Sequence, residues 1–353
     1  MPLTSQSSEP LARSTVTGWA LVMPRGTYRE RSSASSASVE ECRTVTRPFK
    51  QIRSGPVDAA RAAVDRLWPD RPARITELGG GITNHNFKVD VGDGVFVLRM
   101  GGAKTELLGI DREVEYEAGR RAFEVGIGPE VVAFVPEEGW LVARFIEGRP
   151  ITPAEMRSPS MLTRVAFAMR AFHDGPPIPG RFNAWAVVDA YRATAEAHGV
   201  EMPSEFRRAR AIAERIRTAR GVKPDVPCHN DLLNANFLDD GQIRIVDWEY
   251  AGMGDRFFDL ANFSVNHEFG VDDDRQLLHA YFDEVRERDL ATLRLMRFMS
   301  DFREAMWGIL QSGISELEFG FVEYAAKHFA RLEATAADSS FERYFRTVGS
   351  SDA

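Results

Sequence analysis

From Val57 to Leu67 apolar residues recur at helical spacing (Val57, Ala60, Val64, Leu67), which predicts an amphipathic helix over 57–68, closed by Pro69. The period then drops to two. Alternating runs at 73–79, 85–91 and 95–100, separated by Gly-rich turns, predict three antiparallel strands. A helix over 111–125 follows, and strands near 131–135 and 140–145 complete a five-stranded sheet. From 153 onward the pattern is helical, at about 159–174, 184–198, 204–219, 256–268, 273–288, 289–312 and 315–335, with the run PPIPG at 176–180 separating the first two. No internal repeat is present. A sheet-rich lobe ahead of a larger helical lobe is an α+β arrangement, and ligand sites favour such junctions. The expected boundaries are 53–147 for the first lobe and 148–340 for the second, with 341–353 as a flexible tail.

Residues 1–52 have another character. Ser32, Ser33, Ser35, Ser36 and Ser38 lie in a stretch without sustained period, so the segment is expected to be a disordered extension. The apolar patch from Trp19 to Met23 is too short for a secretory core. A formal net charge of −8 argues against nucleic acid as a main partner. No run approaches the roughly 20 apolar residues that a membrane span needs. Two cysteines, Cys42 and Cys228, build neither a disulfide framework nor a zinc spacing, so a reducing cytoplasm is the expected compartment.

The helical pattern is interrupted once, by residues 228–263, CHNDLLNANFLDDGQIRIVDWEYAGMGDRFFDLANF. His229, Asp231 and Asn236 stand in the spacing H-x-D-x-x-x-x-N. A turn at Asp239, Asp240 and Gly241 folds the chain into an apolar strand, Ile243 to Val246, that ends in Asp247. Phosphoryl transfer requires a carboxylate to orient the attacking hydroxyl and oxygen ligands to hold magnesium on the phosphates. Asp231 suits the first task, and Asn236 and Asp247 suit the second. Upstream, the turn after the first strand holds Gly79, Gly80, Gly81, Thr83 and Asn84. Its glycines allow close approach to a phosphate, to which the N–H groups and the Thr83 hydroxyl can donate.

The block resembles the catalytic segment of the choline/ethanolamine kinase family, within the group that includes aminoglycoside phosphotransferases and shares the protein-kinase fold. His229-Asn230-Asp231-Leu232, Asn236, Val246-Asp247-Trp248-Glu249-Tyr250 and Phe258-Asp259-Leu260 carry the likeness. The resemblance covers roughly 56–335. It implies a bilobal fold and ATP with Mg2+ as co-substrate and metal. The acceptor it implies is a small-molecule amino alcohol, for a monomer or homodimer. It also implies that Arg99, at the end of the third strand, binds the nucleotide phosphates and is held by Glu115 rather than by Glu113 or Glu117. Phe145 and Ile146 then form the hinge for an adenine ring. His229 and Asp259 support the catalytic loop, and Asp255 is a candidate helix cap.

Residues 307–329 carry the second likeness, in the spacing of Trp307, Gln311, Glu318-Phe319-Gly320 and Tyr324. It implies that Trp307, Phe319 and Tyr324 cage the substrate ammonium through cation–π attraction. Eukaryotic choline kinases have a second Trp where this chain has Glu304. A carboxylate there accepts N–H groups, which ethanolamine has and choline lacks. Glu249 is a further candidate for the acceptor cavity. An aminoglycoside or another hydroxylated metabolite is the alternative acceptor. A catalytically inactive nucleotide-binding protein ranks last, because Asp231, Asn236, Asp247 and Arg99 are all present.

Overall fold

A computed structural model describes residues 55–79 and 83–349. The expected disordered segment 1–52 lies outside the described residues, as do Gly80 and Gly81. Helix α1 (Pro56–Leu67) opens with Pro56 at its first position, where a fixed φ suits the helix and no N–H is needed. It buries Ala60, Ala63, Val64 and Leu67, while Val57 stays exposed because the cluster it would join begins one turn later. Strands β1 (Arg74–Leu78), β2 (Asn84–Asp90), β3 (Val95–Gly101), β4 (Val131–Val135) and β5 (Trp140–Arg144) form an antiparallel sheet in the order β1-β2-β3-β5-β4. The expected five-stranded lobe is thus present.

Register explains how this lobe serves a site. Phe87, Leu98 and Val142 face one another across three strands and are fully buried in the cluster with α1. Side chains alternate faces along a strand, so Arg99, next to Leu98, points away from that core. It points toward helix α2 (Arg112–Glu124), which Asp111 caps by accepting the Glu113 and Val114 N–H groups.

The second lobe begins with the two-residue strand β6 (Arg149–Pro150) and helices α3 (Pro153–Met156), α4 (Pro159–His173), α5 (Ala184–Ala197) and α6 (Glu205–Arg220). Strands β7 (Val226–Cys228), β8 (Phe237–Asp239), β9 (Ile243–Ile245) and β10 (Gly252–Gly254) build the catalytic segment, followed by α7 (Arg256–Asn266) and α8 (Val271–Phe282). Helix α9 (Glu287–Ile314) is buried on nearly every side from Leu290 to Gln311, as a central helix must be. Around it pack α5, α7, α10 (Phe321–Ala337) and α11 (Phe341–Gly349). Among the described residues no helix is long and apolar enough to cross a membrane.

Two expectations are corrected here. The helix expected over 315–335 begins only at Phe321, and residues 315–320 form a loop. Gly313 lies inside α9, where a Cβ would come within 2.4 Å of Val200. The glycine meets a packing demand, not a turn. The second correction concerns 341–353, expected as a flexible tail. Residues 341–349 form α11, with Phe341, Tyr344 and Val348 spaced three and four apart and buried against the lobe. Nine residues are too few to show a helical period clearly in sequence. Phe341→Ala is expected to lower unfolding free energy by about 3–5 kcal/mol, read from urea midpoints. A loss under about 0.5 kcal/mol would mean that α11 is only loosely docked.

Candidate active site

The loop between β7 and β8 is held from behind. Asp259, near the start of α7 and fully buried, accepts the N–H groups of His229 and Asn230 at 2.7 Å each and contacts His173 Nε2 at 2.9 Å. The Leu232 N–H donates to Asn262 Oδ1 at 2.6 Å. His229 Nδ1 accepts the Asp231 N–H at 3.2 Å, so Nε2 is the donor to the Val246 carbonyl at 3.0 Å. Burial lowers the His229 pKa, which suits a neutral structural imidazole. These supporting roles agree with the sequence reading of His229 and Asp259. Asp255 caps α7 by accepting the Phe257 N–H and is clamped by Arg220.

The turn at Asp239 and Asp240 forms as expected, with Gly241 at φ 102°, and pairs Phe237 with Ile245. That hairpin returns the chain to the loop, and the Val246 N–H donates to the Asn236 carbonyl at 3.0 Å. Asn236 in turn donates its amide N–H to the Asp231 carbonyl at 2.9 Å. Asp231, Asn236 and Asp247 are thereby brought together. Asn230 and Asp247 both have left-handed backbones, φ 67° and 69°. Asn and Asp tolerate that region better than other side chains, and such outliers collect at functional sites.

Above this floor lies the cation of the first lobe. Arg99 Nη1 is 2.5 Å from Glu115 Oε1 and 2.8 Å from Asp247 Oδ1. Of the three glutamates on α2, Glu115 is the partner, as expected, while Glu117 pairs with Arg120. Burial works against the charge on Arg99, but Asp247, Glu115 and Glu249 outweigh it and hold its pKa above the ordinary value. Arg112, not foreseen from sequence, bonds Glu115 at 2.6 Å and Asn84 at 2.8 Å.

Three assignments change at this point. The Thr83 hydroxyl, expected on a phosphate, donates to Glu249 Oε1 at 2.7 Å, and Asn84 donates to Oε2 at 2.7 Å. Glu249, expected in the acceptor cavity, thus ties the first hairpin to the catalytic segment through both oxygens. Its buried position and nearby Asp247 push its pKa up to about 7, against the pull of Arg99. Sequence proximity to Asp247 could not reveal partners more than 160 residues away. At the expected hinge, the Phe145 N–H is already bonded to the Val95 carbonyl at 2.9 Å, which leaves Ile146 as the candidate of the two to offer an amide.

Do the residues fit a magnesium ion? Asn236 uses its amide N–H on the Asp231 carbonyl, which leaves its side-chain oxygen as the candidate ligand atom. Asp247 Oδ1 is buried without an aligned hydrogen bond, although Arg99 lies against it. Two hard oxygens, one anionic, suit magnesium. The cluster of His173, Cys228 and Asp259 does not suit a metal, because both His173 nitrogens are occupied, by Tyr281 and Asp259. Burial also pushes the Cys228 thiol pKa up.

The residues expected to receive the acceptor meet where α9 passes α10. Trp307 is buried with its ring 5.4 Å from Tyr324 and 5.8 Å from Phe321, both edge-on, and its indole N–H donates to the Tyr250 hydroxyl at 3.0 Å. Phe319 lies 6.0 Å from Tyr324 on the exposed rim. The Tyr324 hydroxyl donates to Glu304 Oε2 at 2.9 Å. Sequence reasoning therefore placed Glu304, Trp307, Phe319 and Tyr324 in one neighbourhood and missed Tyr250 and Phe321. Tyr250, three residues past Asp247, carried a usable signal. Asp231 keeps 14% of its side chain accessible, so a substrate can reach it. Burial pushes its pKa up to about 8, helped by Glu304, Asp247 and Glu249 and opposed by Arg303.

The sequence and the fold are matched by known proteins. The family model for choline/ethanolamine kinase matches residues 75–279. Ethanolamine kinase 1 of Mus musculus is 26% identical over 307 residues, covering 74% of this chain and 84% of that protein. The crystal structure of a choline/ethanolamine kinase family protein from Mesorhizobium loti superposes with a TM-score of 0.72 at 31% identity, covering 83% of this chain and 99% of that one. The choline kinase LicA from Streptococcus pneumoniae shares the fold, with a TM-score of 0.68 at 21% identity over 80% of this chain and 99% of its own. With Asp231, Asn236 and Asp247 on one floor beneath Arg99, the chain belongs to the choline/ethanolamine kinase family, phosphotransferases with an alcohol acceptor on a bilobal protein-kinase-like fold.

Proposed function

We propose that the protein transfers the γ-phosphate of ATP, with magnesium, to the hydroxyl of a small amino alcohol of the ethanolamine or choline type, in the cytoplasm. One observation carries the reading. Along α9, Arg303 lies beside Asp231, and Glu304 and Trp307 follow within a single helical turn. One guanidinium thus separates the proton acceptor from Glu304, with Arg303 Nη2 3.4 Å from Asp231 Oδ1 and Nη1 3.0 Å from Glu304 Oε1, a separation suited to the two ends of a short amino alcohol. Asp231 takes the hydroxyl end and orients its proton. Glu304, Trp307 and Tyr324 take the ammonium end. Glu304 favours amines that retain an N–H, since a buried carboxylate gains most from a hydrogen-bonded cation.

Asn236 and Asp247 would hold the metal, and Arg99, fixed by Glu115, meets the phosphates. Bound there, magnesium would supply neutralisation of the phosphate charge. The test is a substrate panel that reads ATP consumption with ethanolamine, choline, thiamine and several aminoglycosides. An amino alcohol should show the highest kcat/KM; an aminoglycoside in that place would overturn the reading. In the same assay Trp307→Ala should raise the acceptor KM about tenfold, equivalent to ~1.4 kcal/mol, with the ATP KM unchanged. An unchanged acceptor KM would return the indole to the hydrophobic core.

A further inference from the structure

Arg303 was not singled out by any sequence motif, yet its guanidinium is almost fully enclosed beside the base. Its side chain is 1% exposed. Nη2 donates to the Asn230 carbonyl and lies 3.4 Å from Asp231 Oδ1, while Nη1 lies 3.0 Å from Glu304 Oε1. The Tyr250 ring faces it at 5.2 Å and the Phe182 ring at 6.0 Å. Burial disfavours its charge, but Glu304 and Asp231 outweigh that and hold its pKa above the ordinary value. Among the described residues, Arg303 is the only side chain that bonds the Asp231 carboxylate.

Building on the amino-alcohol kinase reading, we propose that Arg303 is a positioning residue that aims the Asp231 carboxylate at the acceptor hydroxyl and couples it to Glu304 in the acceptor pocket. Three contacts of one planar fork support this. The bond to the Asn230 carbonyl braces the left-handed residue that immediately precedes Asp231. The contact to Oδ1 leaves Oδ2 for the hydroxyl. The pair with Glu304 fixes the groups that receive the ammonium from the same rigid helix. With Asp231 ionised, as proton acceptance requires, one guanidinium between two carboxylates leaves a residual negative charge, which a cationic acceptor balances. A lysine has a point charge and no fork, so it cannot make the three contacts at once.

The alternative is that Arg303 is only the counter-ion of a buried Glu304. The test combines R303M, R303K, E304Q and the double variant R303M/E304Q, each measured for kcat, both KM values and urea midpoint. Removing one partner of a buried pair leaves the other uncompensated, so R303M should lower the midpoint and the double variant should recover most of it. Positioning predicts that kcat stays about 100-fold down in both, that R303K recovers about tenfold, and that the nucleotide KM stays within about twofold. E304Q should act chiefly on the acceptor KM. Recovery of kcat together with the midpoint in the double variant would overturn the proposal, as would R303M turnover within about threefold of wild type. The same proteins are scored for ATP hydrolysis by water, which needs Asp231 but no amino alcohol. A wild type inactive on the whole panel would sink the functional reading alone. In that case hydrolysis lost in R303M still supports positioning, and equal hydrolysis overturns it.

Discussion

Asp231→Asn is expected to lower kcat by about 1,000-fold while nucleotide affinity stays within about twofold, within the range of effects for removing a general base. The amide keeps the shape of the carboxylate and its contact with Arg303, so the loop should persist. What disappears is the proposed acceptor of the hydroxyl proton. The proposed metal ligands Asn236 and Asp247 are untouched, which is why binding and turnover should separate. The pH profile provides a second reading of the same group. Burial, with Glu304, Asp247 and Glu249, pushes the Asp231 pKa up to about 8, and only the ionised form can accept the proton. In wild type, kcat/KM for the nucleotide, which reports the free enzyme, should fall roughly tenfold per pH unit on the acid side of that value. Near wild-type turnover in Asp231→Asn would end the assignment of Asp231 as base.

Asp247→Asn should damage both binding and rate. It removes the anionic ligand of the proposed metal pair and the carboxylate 2.8 Å from Arg99. We expect kcat to drop about 100-fold or more, and nucleotide affinity to lose its dependence on magnesium. Calorimetric titration with ATP, with and without magnesium, checks this directly. In wild type the two titrations should differ, and in the variant they should nearly coincide. A variant that retains the full magnesium effect would place the metal elsewhere. The comparison with Asp231→Asn is informative because both substitutions exchange a carboxylate for an amide on the same floor. A shared general destabilisation would make the two profiles alike.

Several features were legible in the sequence because they are local. Alternation in the first lobe reflects a sheet with one buried face, so β2, β3, β4 and β5 were placed within a residue or two. The H-x-D-x-x-x-x-N spacing, the Asp-Gly turn and the strand ending in Asp247 lie within twenty residues, so covalent connection alone brings them together. Asn230 and Asp247 are residue types suited to left-handed backbone, and Gly241 suits the hairpin. The loop at 315–320 was missed because α10 continues an apolar period that residues 315–320 do not contradict.

What only the tertiary structure decided is how polar groups far apart in sequence share one another. Thr83 and Asn84 donate to Glu249 instead of standing free in a turn or pocket. Arg112 joins Glu115 to Asn84, and Arg303 joins Asp231 to Glu304. A charged side chain with several bonding directions has many possible partners of ordinary sequence appearance, and burial forces it to satisfy them all at once. The choice depends on which elements pack side by side, here α9 against the catalytic loop and β2 against the segment after β9. Sequence by itself determined the bilobal fold, the local loop and hairpin that bring Asp231, Asn236 and Asp247 together, and the phosphotransferase family. The assignment of each carboxylate to its cation required the packed chain, because pairing is set by distances of about 3 Å that no residue spacing encodes.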